Sequence, residues 1–147
     1  SMAIGGWSMT VRELGVAEGE TLFDEIMDLY LAVGWSNYTV RPDMLRTAYA
    51  RSLSVWGAFE EGRLVGIVRA VGDGVSIVFV QDLIVCPELQ RRGIGTTLMR
   101  AVGERFSRVY QMELLTEDAP GTRGFYESLG LVRADALGCV TYVRQRT

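Results

Sequence analysis

The stretch that decides the reading of this chain is residues 75–99, VSIVFVQDLIVCPELQRRGIGTTLM. Residues 76–85 are mostly β-branched or otherwise apolar, broken by Gln81 and Asp82, and predict a strand covered on both faces. Pro87 ends it, because proline cannot donate to a ladder. Then come Gln90, Arg91, Arg92, Gly93, Ile94, Gly95, Thr96 and Thr97, where two glycines let backbone lie close to a ligand. A helix is expected to open at Thr96 or Thr97, since Leu98, Val102, Phe106 and Val109 recur at helical spacing. The unpaired N–H groups of a helix N-terminus favour an anion by roughly 0.3–1 kcal/mol even at an exposed site. Arg91 and Arg92 add charge there. A strand, loop and helix in this order suit a phosphate-bearing ligand, the bland alternative being a glycine-bearing turn with two solvated arginines.

Two common phosphate motifs fail. A P-loop needs lysine, and the chain has none among its 15 basic residues. The dinucleotide fingerprint G-x-G-x-x-G fails because Leu98 stands where its third glycine belongs. What does match is Gln/Arg-x-x-Gly-x-Gly/Ala after a strand ending in an apolar-x-Val-x-Pro pattern. In this the sequence resembles the GNAT superfamily of acetyl-coenzyme A dependent N-acetyltransferases. A second segment, Gly124-Phe125-Tyr126-Glu127-Ser128-Leu129-Gly130-Leu131, resembles the family's Phe-Tyr-x-x-x-Gly-Phe element. Leu131 departs from the usual phenylalanine, and Ala119 stands where many relatives carry an asparagine that bonds the cofactor arm, a contact Thr122 would have to supply.

The 147 residues fit one domain with a single core. Hydrophobic content of 48% with 22% charged residues is that of a globular protein, and no apolar run reaches the roughly 18 residues of a membrane span. The start, SMAIGGWSM, lacks the plan of a signal peptide, so a cytoplasmic location and no membrane partner are expected. Residues 1–9 are expected to be a tail, with Ser1 a cloning remnant, and the domain to occupy residues 10–147. Two cysteines and no histidine leave no ligand set for a metal. Cys86, closing the central strand, reads as either a reactive thiol or a small inert apolar residue. A net charge of −3 argues against a nucleic-acid partner.

Taken in order, residues 10–14 alternate as a strand, and residues 18–33 form an amphipathic helix stopped near Gly34. Residues 35–38 are a loop, and Pro42 opens a second helix burying Leu45, Ala48, Tyr49 and Leu53. Residues 54–60 and 64–71 form a hairpin around Glu61-Gly62, and Gly72-Asp73-Gly74 leads into the central strand. After the glycine-loop helix come a strand at 111–116, a helix at 120–129 capped by Gly130, and a last strand pair at 131–133 and 139–144. The fold class is therefore mixed α/β (α+β), with a mostly antiparallel central sheet flanked by helices. Its order, β-α-α-β-β-β-α-β-α-β-β, is that of the GNAT fold.

The resemblance implies the chemistry. Gln90 to Thr97 would hold the pyrophosphate of acetyl-coenzyme A, and the backbone N–H groups of Leu83, Ile84 and Val85 the pantetheine and acetyl group. Tyr126 would be the general acid, since a phenol of pKa near 10 keeps a proton to give to a departing thiolate. The acceptor would be a primary amine of a small molecule or peptide, met by Trp35, Tyr38 and Tyr49. An alkyl ammonium must first lose a proton, and Asp82 is the preferred base because it interrupts an apolar strand beside the expected acetyl site. Gln81, Glu113, Asp24 and Glu25 are the other candidates, and Asp82 bonded to a neighbouring loop or helix end is the bland reading. Two further functions share these motifs: a non-enzymatic coenzyme A-binding module, and a relative taking another acyl group or a hydroxyl acceptor. By family analogy the last strands are where two copies would pair as a homodimer.

Overall fold

The computed structural model describes residues 2–4 and 7–146, with side chains from residue 8 onward. These residues fall into two compact units, 1–115 and 116–147.

The first unit is built on a sheet of six strands in sequence order: β1 (Met2–Ile4), β2 (Trp7–Glu13), β3 (Ser54–Glu60), β4 (Arg63–Gly72), β5 (Ile77–Val85) and β6 (Gln111–Leu114). Every neighbouring pair is antiparallel except β5 and β6, which run parallel. The expected nine-residue tail is corrected here. Met2–Ile4 pairs with residues 7–9, so the hairpin begins before Thr10.

Between β2 and β3 lie α1 (Val16–Thr21), α2 (Phe23–Ala32), the single turn α3 (Ser36–Thr39) and α4 (Pro42–Ala50). The one long helix expected over 18–33 is thus two helices meeting at Leu22, and the loop expected at 35–38 closes into a helical turn. Pro42 opens α4, and Arg41 before it sits at φ −130° and ψ 64°, outside the helical region that a following proline disfavours. Phe23, Ile26, Leu29 and Tyr30 of α2 and Leu45 and Tyr49 of α4 form one core with Val55, Phe59, Leu64, Ile67 and Ile84 of the sheet.

α5 (Ile94–Arg105) covers the opposite face. Strand side chains alternate between faces, so Gly66 points away from the Ile67 core. A Cβ on Gly66 would lie 3.1 Å from Ile94 Cγ2 and 3.2 Å from Leu98 Cδ1. The missing side chain lets the first turn of α5 seat against β4.

β5 carries the feature that shapes the site. Arg69 pairs with Asp82 but Ala70 pairs with Val80, so Gln81 is an extra residue, a β-bulge. It resets the alternation. Ile84 belongs to the α2/α4 core, whereas the buried Val78 and Val80 stand outside that cluster.

In the second unit, α6 (Pro120–Ser128) ends at Gly130 in left-handed conformation, φ 86°, as expected. The strand pair expected at 131–133 and 139–144 is not formed among the described residues. A 3-10 turn, Ala134–Leu137, stands there instead, between Gly130 and Gly138, both left-handed. Arg133 forks onto Asp135 and also reaches Asp118, which binds Arg123 on α6, and backbone bonds such as Cys139 N–H to Ala134 O close the turn. Val140, Tyr142 and Val143 are exposed.

Candidate active site

The edge of β5 is the first part of the site. β6 runs beside it only from Ile77 to Val80, and β5 continues five residues further to Val85 without that neighbour. On its other side β5 keeps its ladder to β4 through Val85, and Cys86 N–H still donates to Val65 O at 2.8 Å. Antiparallel strands alternate their bonding, so Asp82 and Ile84 face β4, while Leu83 and Val85 turn their N–H groups to the side that β6 has left. Of the three backbone groups expected to meet the acyl donor, Leu83 and Val85 therefore turn their N–H groups to the open side, and Ile84 turns its N–H to β4. The strand separation that opens this edge begins at the bulge.

The second part is the N-terminus of α5. The helix starts at Ile94, two residues earlier than its spacing suggested, because Gly93 takes a left-handed N-cap conformation at φ 84°. Arg91 is left-handed too, at φ 67°. Backbone alternating into this region points successive N–H groups inward, as in anion-binding nests. Thr97 N–H and Oγ1 both donate to Gly93 O, at 3.0 and 2.8 Å. That leaves the N–H groups of Ile94, Gly95 and Thr96 beyond the reach of the helix's own ladder. Gln90, Arg91 and Arg92 are exposed around them, and Gln90 Nε2 donates to Val85 O at 3.2 Å, tying the loop to the open strand end. The Ile94 side chain packs against β4, beside Gly66.

Asp82 does not fit the role of base. Its side chain is 2% exposed, and Oδ2 accepts from Arg69 Nε at 2.8 Å and from Tyr30 O–H at 2.7 Å. Tyr30 Oη lies 2.8 Å from Tyr49 Oη, and the Arg69 guanidinium lies 5.5 Å from the centre of the Tyr49 ring. A carboxylate already holding two donors inside a core is committed to them. Burial pushes both phenols far above their ordinary range. Burial also pulls the Arg69 guanidinium down, but the adjacent Asp82 more than reverses this, so the arginine stays charged. Tyr30 and Arg69 were missed in the sequence. Each lies in an apolar stretch, and nothing in linear order joins them to Asp82.

The acceptor-side expectations divide. Tyr49 is 6% exposed and belongs to the core, a correction to its expected place in a binding wall. Trp35 and Tyr38 remain partly exposed, their ring centres 6.3 Å apart, and Tyr38 Oη accepts from the exposed Gln81 Nε2 at 3.2 Å. The bulge thus aims Gln81 at the aromatic pair. Of the other carboxylates, Asp24 and Glu113 are exposed, while Glu25 Oε1 accepts Leu64 N–H. The Cys86 thiol donates to Glu88 Oε2 at 2.6 Å. Partial burial and its bond to Glu88 push its pKa up.

In the second unit, Tyr126 lies on α6 with its ring edge-on to Phe125 at 4.9 Å. Burial raises its pKa, so the phenol holds its proton at neutral pH. Ala119 is the N-cap of this helix and offers no side-chain bond, and Thr122 Oγ1 reaches Glu117 at 3.4 Å.

A sheet edge opened beside a bulge thus lies next to a helix N-terminus preceded by two exposed arginines. A family model for the acetyltransferase (GNAT) domain matches residues 51–132. A solved GNAT-family acetyltransferase from Streptococcus pneumoniae TIGR4 shares 37% identity, with 95% of this chain and 98% of that chain covered and a TM-score of 0.83. Serotonin N-acetyltransferase 2, chloroplastic, of Oryza sativa subsp. japonica is 31% identical over 94% of this chain and 72% of its own length. GCN5-related N-acetyltransferase 1, chloroplastic, of Arabidopsis thaliana is 26% identical over 84% of this chain, which spans 63% of that protein's length. The chain belongs to the GNAT family of N-acetyltransferases, and is an acyltransferase by membership. The family draws its acetyl group from acetyl-coenzyme A.

Proposed function

We propose that this chain moves an acetyl group from acetyl-coenzyme A to a primary amine of a small molecule or peptide by direct transfer, with Tyr126 as general acid. The observation that carries the proposal is the run of β5 from Asp82 to Val85, which β4 pairs on one side and β6 leaves open on the other, lying between the bulge at Gln81 and the arginine loop.

The residues present fit the donor. The N–H groups of Ile94, Gly95 and Thr96, with Arg91 and Arg92, suit a pyrophosphate. The N–H groups of Leu83 and Val85 suit the amide-bearing pantetheine arm and the acyl oxygen. When bound, acetyl-coenzyme A supplies an activated thioester. The chain's part is to orient it and to stabilise charge at the acyl oxygen through preorganised N–H groups, which need no reorganisation as that charge grows. Tyr126 supplies the proton that a leaving sulfur needs. Trp35 and Tyr38, with Gln81 between them and β5, offer rings to the apolar part of an acceptor or to its cationic head.

The test is thiol release from acetyl-coenzyme A in the presence of polyamines, aminoglycosides, arylalkylamines, amino acids, and N-terminal or lysine peptides. One amine class should release thiol, and Tyr126→Phe should lower kcat by about 100-fold while coenzyme A affinity holds. Unchanged turnover removes Tyr126 from the mechanism. Tight coenzyme A binding with no release from any amine would favour a coenzyme A-binding module instead.

A further inference from the structure

The Tyr30–Tyr49–Arg69–Asp82 network has no substrate-facing group. Its four members are all at most 6% exposed and come from α2, α4, β4 and β5. Buried ion pairs of this kind are often replaceable by apolar side chains without loss of stability, so stability alone does not account for the arrangement. Its position is informative. Arg69 and Asp82 are the ladder pair immediately beside the extra residue Gln81.

A strand with one extra residue has a neighbouring register in which the bulge moves along, and a shift of one residue turns every side chain to the other face. Between Gln81 and Val85 such a shift would carry Asp82 out of reach of Arg69, leaving a buried guanidinium unpaired. It would also turn the Leu83 and Val85 N–H groups toward β4. Tyr30 adds a second donor to the same Oδ2 from a helix rather than from the sheet, so Asp82 is fixed against two elements at once. Tyr49 reaches Asp82 indirectly, through the Tyr30 hydroxyl and through its ring beside Arg69.

We propose that Tyr30 and Arg69 are positioning residues that act through Asp82, pinning the β5 bulge so that the Leu83 and Val85 N–H groups and the Gln81 side chain face the reacting acyl group and acceptor. The proposal deepens the acetyl-transfer reading and rests on it. No member of the network touches substrate, and Tyr49 contributes at one remove.

The experiment compares Tyr30→Phe and Tyr49→Phe with the wild-type chain, each variant keeping the ring and removing only the hydroxyl. Two readouts are taken: steady-state acetyl transfer to the amine of the panel above that gives thiol release, and amide hydrogen exchange by NMR in the ligand-free protein. For Tyr30→Phe, kcat is expected to fall about tenfold with KM for acetyl-coenzyme A within about twofold, because misplacing backbone donors affects the reacting geometry rather than the distant phosphates. Exchange at Asp82 and Ile84 is expected to quicken about tenfold, while β3 keeps its protection. Tyr49→Phe should show the same pattern at about a third of the size or less. A Tyr30→Phe kcat within about twofold of wild type overturns the proposal, as does faster exchange spread evenly over β3, β4 and α2, the signature of a loosened core. Wild-type protein that acetylates no amine would refute the transfer reading instead, and the exchange readout, which needs no turnover, would still decide whether the network pins the bulge.

Discussion

Arg69 and the pair Arg91–Arg92 are the same residue type put to opposite uses. Arg69 is 5% exposed, fixed to Asp82 at 2.8 Å inside a core. Arg91 and Arg92 are exposed on a loop whose backbone is held left-handed at positions 91 and 93. Burial is what separates them. Inside the core a guanidinium must keep its carboxylate, because the cost of leaving either charge alone is several kcal/mol. At the surface water screens the charge, and an arginine there can exchange partners at little cost.

That contrast is broken most sharply at Arg69. Arg69→Ala should destabilise the fold by about 3–5 kcal/mol, read from urea unfolding, since it strands the Asp82 carboxylate. Replacing both partners, Arg69→Met with Asp82→Leu, should recover most of that loss. A single variant as stable as wild type would show that the pair is not held as described.

A smaller effect is expected at the loop. Arg91→Ala with Arg92→Ala should weaken coenzyme A binding by about tenfold, or about 1.4 kcal/mol, with the unfolding midpoint nearly unmoved and the difference shrinking as salt rises. Equal affinity for double variant and wild type at low salt would take the loop out of phosphate binding.

The smallest effect sharpens the surface side. Asp73 is fully exposed, yet the Ser76 hydroxyl, then the N–H groups of Val75, Ile77 and Ser76, hold its carboxyl well below the usual carboxylate range. A lowered folded pKa stabilises the fold above the unfolded value of about 3.9, and that contribution is lost as pH falls through the folded value. Asp73→Asn should therefore lower the urea midpoint slightly at neutral pH, with the gap narrowing under strong acid. A gap independent of pH would mean that the turn is held by shape rather than by charge.

Much of this was legible in linear order. β3, its two-residue turn and the entry to α4 follow from alternation, from Glu61-Gly62 and from Pro42, all local signals. The Gln90–Thr97 loop was legible because its glycines and arginines are contiguous. The Asp82 assignment failed for the complementary reason. A carboxylate interrupting an apolar strand looks alike whether it awaits a substrate proton or already holds Arg69 and Tyr30, and Tyr30 lies 52 positions away. The last strands failed because alternation in residues 139–144 shows that a segment could pair without supplying a partner.

The sequence by itself determined the family, the glycine–arginine loop, the position of Tyr126 on its helix and most element boundaries, because glycine geometry, proline stops and apolar periods act within a few residues. Tertiary structure alone decided three things: that β6 leaves β5 after Val80, that Gln81 is the extra residue of a bulge, and that Asp82 is committed to Arg69 and Tyr30. Each depends on which strands and helices lie side by side. Such juxtaposition is set by the packing of distant segments around shared cores, and no local pattern encodes it.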